Sequence, residues 1–125
     1  MQQKYANMTT LYLVRHGETV DNVNQIMQGQ TQGQLTENGI RQAEEVRDNM
    51  ALEDFAAIIA SDLKRSVDTA NVIAEPHHLE VVQTPLLRER DWGGFTGRYI
   101  PELKGEKWPD DIETLENLLS RAGEF

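Results

Sequence analysis

The 125-residue chain contains no cysteine, only four prolines, and no apolar run approaching the length needed to cross a bilayer. The missing cysteines exclude disulfides, a thiolate nucleophile and sulfur-ligated zinc, as suits a reducing compartment. Residues Met1 to Asn7 are mostly polar with a single Lys4, and lack the long apolar core of a secretory signal. Positive charge is also scarce. Twelve Lys and Arg face 21 Asp and Glu, a formal net charge of -9, so the surface should repel nucleic acid and acidic membrane. An anionic substrate would need a local basic pocket. The expectation is a cytoplasmic protein of one domain, residues 1–125, with no nucleic-acid or membrane partner.

What is present is an alternation of short apolar runs and amphipathic stretches. Leu11-Tyr12-Leu13-Val14 is continuously apolar, the pattern of a parallel strand covered on both faces, and it predicts a central strand. Residues Val20 to Gln34, rich in Gln, Asn and Gly, predict a long loop over that strand's end. Thr36 is placed to N-cap a helix carrying Ile40, Ala43, Val46 and Met50 at helical spacing. Ala56 to Ala60 predicts a second strand, after which Ser61-Asp62 would cap a helix running to about Glu75 and stopped by Pro76. Leu79 to Gln83 predicts a third strand, followed by a glycine-rich loop from Arg88 to Gly97. Leu115, Leu118, Leu119 and Ala122 mark the apolar face of a last helix. Residues 98–111, with the polar stretch Lys104 to Asp111, read as a small cap segment. The alternation implies an α/β fold, a three-layer αβα sandwich on a mostly parallel central sheet that is incomplete within this chain.

Three groups of candidate chemistry follow the strands: Arg15-His16-Gly17-Glu18 with Asn22, Ser61 to Arg65, and Arg88 to Gly97. Ligand sites in open parallel sheets form outside the carboxyl ends of strands, so these loops should converge. There His16 could serve as a neutral nucleophile for phosphorus, Arg15 and Arg65 as guanidinium clamps on phosphoryl oxygens, and Glu89 as the acid that protonates the leaving oxygen. Asn22 could add a neutral donor. Arg88 and Arg90 are expected as ion-pair partners in so acidic a chain, and Trp92, Phe95 and Trp108 as packing residues of the loop. The pair His77-His78 has no companion cluster that would make it a metal site.

The strand followed by Arg15-His16-Gly17-Glu18-Thr19 and Asn22, then Gln28-Gly29, Leu35-Thr36-Glu37-Asn38-Gly39, Ser61-Asp62-Leu63-Lys64-Arg65 with Thr69-Ala70, and Leu87-Arg88-Glu89 before Gly93 and Gly97, resembles the histidine phosphatase superfamily in its phosphoglycerate-mutase-like branch. The resemblance implies that His16 is the phosphorylated nucleophile, that Arg15, Asn22 and Arg65 form the phosphate pocket, and that Glu89 is the general acid. It places Gln28 and Gly29 near the substrate, and implies no metal and no cofactor. Two departures stand out. Thr96 occupies a position where the family commonly has glutamate, and the chain stops before the family's second catalytic-core histidine, which lies in a His-Gly pair after a later strand. The expected function is a phosphomonoester hydrolase acting through phosphohistidine on a small phosphorylated metabolite. A cofactor-dependent phosphoglycerate mutase, which is an isomerase, and a non-catalytic fragment that binds phosphorylated ligands are the alternatives. The short acidic segment after Gly97 favours the hydrolase over the mutase, and a homodimer is left open.

Overall fold

A strand-helix-strand unit organises the computed structural model, which describes residues 8–125. Strand β1 (Ile58–Ser61) pairs in parallel with β2 (Val81–Thr84), Ile58 opposite Val81 and Ser61 opposite Thr84. Between them runs a helix, Lys64–Ala74, which packs against both strands through buried Ala70, Ile73 and Ala74. Parallel neighbours cannot be joined by a tight turn, so the chain must cross over, and a helix satisfies its backbone while doing so. A longer helix, Glu37–Met50, packs on that crossover helix, with Ala43 buried between them. In chain order the helices are α1 (Val20–Asn24), α2 (Glu37–Met50), α3 (Lys64–Ala74) and α4 (Leu115–Glu124).

The α/β class and the small parallel sheet agree with expectation, and so does the incompleteness of the sheet. Helices cover one face, while Ile59 and Val82 are 42% and 54% exposed. The boundaries of both strands lie one or two residues beyond the apolar runs that announced them. Thr36 caps α2 as expected, its hydroxyl accepting from the Gly39 N–H at 3.0 Å.

Three expectations require correction. Leu11 to Val14 is not a strand: none of these residues enters a ladder, and Leu11 and Leu13 are 70% and 87% exposed. An apolar run becomes a strand only when a neighbour supplies hydrogen bonds. Here the segment instead lines one side of a cavity of about 660 Å³ whose other side includes Phe55, Ile58 to Ser61, Ala70 and Ile73. The loop expected from Val20 onward begins as helix α1, because Thr19 and Asn22 form a capping box at its first turn. The residue capping α3 is Leu63, with no side-chain cap; Ser61 receives the Leu63 N–H, and Asp62 is directed to Arg88. The last helix, α4, forms with its apolar face open: Leu115 and Leu119 are 58% and 64% exposed.

Residues 98–111 fold back over the loop at 25–27. Met27 donates to the Arg98 carbonyl and accepts from Gly97, while Ile100 donates to the Gln25 carbonyl at 2.7 Å. Beneath this strap Phe95, Leu103 and Ile112 form a small core, with Met27 and Trp92 packed against it. Trp108 makes edge-on contacts with Trp92 and Phe95, as expected of loop-packing residues.

Candidate active site

His16 follows the unpaired segment and is half-buried. Its Nδ1 lies 2.7 Å from the Gly17 carbonyl. A carbonyl can only accept, so Nδ1 carries the proton and Nε2 presents its lone pair. Burial holds the imidazole below its ordinary pKa of 6.5; the bond to Gly17 opposes this, the Arg65 and Arg15 cations reinforce it, and the Glu89 carboxylate opposes it. The shift and the Nδ1–H bond to Gly17 both favour the neutral imidazole, the form a nucleophile requires.

The loop that carries His16 is locked by backbone contact. A Cβ on Gly17 would overlap the Gly39 carbonyl, and one on Gly39 would overlap the Glu18 carbonyl, so the chain can cross the first turn of α2 only where both residues lack side chains. Thr69 on α3 completes the fixation, its hydroxyl accepting from Gly17 N–H at 3.1 Å and donating to the Arg65 carbonyl at 2.8 Å. The nucleophile loop and the helix bearing Arg65 thus share one buried hydroxyl.

Arg65 is 2% exposed. Its Nη1 donates to the Thr31 carbonyl at 2.7 Å and its Nη2 to the Gly29 carbonyl at 2.8 Å, while Nε has no protein partner. The guanidinium therefore holds the loop at 29–31 and retains unused N–H groups, the buried Nε–H among them. Arg15 is exposed and close enough to act on His16. Glu89 is exposed, accepts the Arg90 N–H at 2.7 Å, and its charge acts on both His16 and Arg65. Histidine, two guanidiniums and a carboxylate are thereby close enough to act on one another.

The other candidates are placed differently. Asn22 is exposed, and its Oδ1 accepts from Thr19 N–H in the capping box, leaving its amide N–H₂ as the available donor. Gln28 is buried and accepts the Thr19 hydroxyl at 2.7 Å, so its carbonyl end braces the loop. Gly29 is buried and its carbonyl is engaged by Arg65. Arg88 forms the ion pair expected of it, with Asp62. Arg90 instead lies 5.0 Å from the ring centroid of Trp92 and 5.4 Å from that of Trp108. Among the described residues no group of three or more His, Asp or Glu side chains could hold a metal. No helix there is long and apolar enough to cross a membrane.

Thr69, Glu113 and Arg121 also hold these groups in place, and sequence reasoning assigned them no role; Asp62, expected only as a helix cap, joins them through Arg88. Each acts through contacts with residues distant in the chain, which no local spacing announces.

A parallel βαβ unit thus lies beside a histidine, two arginines and a carboxylate that act on one another. The model of the histidine phosphatase superfamily (branch 1) matches residues 11–124, and the chain belongs to that superfamily.

Among similar proteins, the probable phosphoglycerate mutase GpmB of Proteus mirabilis (strain HI4320) is 41% identical over 100 residues, covering 80% of this chain and 46% of that protein. The uncharacterized phosphatase PhoE of Bacillus subtilis (strain 168) is 40% identical over 118 residues, covering 91% of this chain and 61% of that protein. A solved mycobacterial glucosyl-3-phosphoglycerate phosphatase complexed with VO3 superposes with a TM-score of 0.78 at 28% identity, covering 86% of this chain and 60% of the other. The chain therefore spans about half to three-fifths of the length of these relatives.

Proposed function

We propose that the protein hydrolyses small phosphomonoesters through a phosphohistidine at His16. The observation that carries this reading is the neutral imidazole whose Nδ1 proton is tied to Gly17, which leaves Nε2 free beside Arg15, Arg65 and Glu89. Nε2 attacks phosphorus, the bond from phosphorus to the ester oxygen breaks, and Glu89, which enters this step in its protonated form, gives its proton to the departing oxygen. The resulting Glu89 carboxylate then takes a proton from water as that oxygen attacks phosphorus. The P–N bond breaks, and inorganic phosphate and neutral His16 are restored. Arg15, Arg65 and the Asn22 amide offset the charge on the transferring group. Gln28 and Gly29 shape the loop beside the substrate.

The strap at 98–111 supports hydrolysis over mutase chemistry, since it is short, acidic and folded onto the 25–27 loop. Phosphatases among the relatives support the same choice. The acidic, cysteine-free chain suits a cytoplasmic enzyme.

The experiment is to incubate the full-length protein with a radiolabelled phosphomonoester and quench it. Acid-labile, base-stable label on His16, followed by release of inorganic phosphate, is the expected result. Absence of label overturns the reading. Transfer of the label to a second hydroxyl of phosphoglycerate instead of water would replace hydrolase by mutase.

A further inference from the structure

The guanidinium of Arg121, near the end of α4, has every donor engaged. Nη1 donates to the carbonyls of Leu86 at 3.1 Å and Arg88 at 2.7 Å. Nη2 donates to the Glu89 carbonyl at 3.4 Å and to Glu113 Oε1 at 2.7 Å, and Nε to Glu113 Oε2 at 3.0 Å. A guanidinium has five N–H groups, and these contacts use all five. Nothing remains for a substrate.

Its counter-ion works on the same stretch of chain from the other side. Glu113 Oε1 also accepts the Asp91 N–H at 3.1 Å, and Oε2 accepts the Asn117 amide. The Glu113 backbone donates to the Asp91 carbonyl at 2.8 Å and accepts from Arg90 Nε at 2.8 Å. The pair therefore grips backbone or side chain at residues 86, 88, 89, 90 and 91, on both sides of Glu89. Glu89 itself is exposed on a loop that leaves β2 through the single turn Pro85–Leu87. An exposed acid on a short loop has many orientations unless its backbone is held, and a proton donor displaced by an ångström loses much of its effect.

We infer that Arg121, clamped by Glu113, is a positioning residue that fixes the backbone of residues 86–89 so that the Glu89 carboxyl points at the oxygen leaving phosphorus. The inference rests on the hydrolase reading for what Glu89 does, and on geometry alone for what Arg121 holds. It also gives α4 a reason to dock without burying its leucines: the helix is attached through a saturated arginine.

The test uses the full-length protein with Arg121→Met, which keeps the side-chain length and removes all five donors. Two readouts separate positioning from general stability. Amide exchange at Arg90 and Asp91 should accelerate by about 10-fold or more, with exchange in α2 unchanged. Turnover of an alkyl phosphomonoester, whose leaving group needs a proton, should fall by about 30-fold or more with KM within about 3-fold, matching the pattern of Glu89→Gln. Turnover of p-nitrophenyl phosphate, whose leaving group departs as the anion, should fall by less than about 3-fold. Arg121→Lys should lie between wild type and Arg121→Met, because an ammonium cannot reproduce the fork.

Unchanged exchange at residues 90 and 91, acceleration throughout α2 and α3, or equal losses on both substrates would each overturn the role of Arg121. Lack of label on wild-type His16 would overturn the hydrolase reading, while the exchange result would still decide whether Arg121 holds the loop. If Arg121→Met fails to fold, Glu113→Gln, which frees the clamp while keeping the arginine, is to be judged by the same readouts.

Discussion

Arg88 grips Asp62 with both ends of its fork, Nε to Oδ1 and Nη2 to Oδ2 each at 2.7 Å. Asp62 leaves the end of β1 and Arg88 follows the end of β2, so this one pair ties the turn leading into the helix that bears Arg65 to the loop that carries Glu89. The convergence required for a shared site is thus held by a bidentate contact as well as by the sheet.

That pair should matter modestly for stability and in a pH-dependent way. Asp62→Asn is expected to cost about 1–2 kcal/mol, since both side chains are about a third exposed. The hydrogen bonds from Arg88 hold the Asp62 carboxyl below its ordinary 3.8. Its contribution is therefore complete above that value and disappears as pH falls through the lower folded value. Urea midpoints of wild type and Asp62→Asn should converge at acid pH; a constant difference would sink the prediction.

Glu113 should dominate acid sensitivity around the loop. Hydrogen bonds from Arg121 above all hold its carboxyl at about 2, against an ordinary 4.5. Folded protein resists protonation there, so the stabilisation is full above 4.5 and is lost between 4.5 and about 2. Glu113→Gln should flatten the dependence of the urea midpoint on pH across the accessible part of that window.

His16 should titrate below 6.5 and respond to its neighbours with opposite signs. Removing a cation with Arg15→Gln should raise its pKa, and removing an anion with Glu89→Gln should lower it. Imidazole proton shifts followed by NMR over pH report both directly. Because only the neutral form attacks phosphorus, phosphohistidine formation should decline on the acid side of the same titration. Movement of both variants in one direction would contradict this electrostatic account.

Gly39→Ala should be among the most damaging small substitutions. The new methyl would overlap the Glu18 carbonyl, pushing the His16 loop off α2. A loss of at least about 2 kcal/mol is expected, larger than that of Ala at Gly123, where a Cβ meets nothing. Thermal melts of the two variants compare them directly.

Elements whose signals are local are legible in the sequence alone. Thr36 followed by periodic apolar residues marked α2, Pro76 marked the end of α3, and the βα alternation marked the class. Capping, helical period and proline act over a few residues, so sequence spacing reports them. Leu11 to Val14 misled for the complementary reason. Its composition describes a strand, but a ladder needs a second strand at hydrogen-bonding distance, and composition says nothing of neighbours. The same holds for α1, where the polar loop reading lost to the reciprocal hydrogen bonds of Thr19 and Asn22.

For the site, the order of Arg15-His16, Ser61 to Arg65 and Arg88-Glu89 along the chain was enough to nominate the chemistry, because each group follows an apolar run whose end must face the ligand side. Contacts 33 to 52 residues apart in the chain decided the rest: Thr69 on Gly17, and Arg121 on Arg88. Residue types specify what a group can donate, accept or attack. Which lone pair of His16 is free, which donors of Arg65 are already taken, and what holds Glu89 in place depend on carbonyls brought near only by folding, since backbone groups are the same in every residue and carry no label in a sequence.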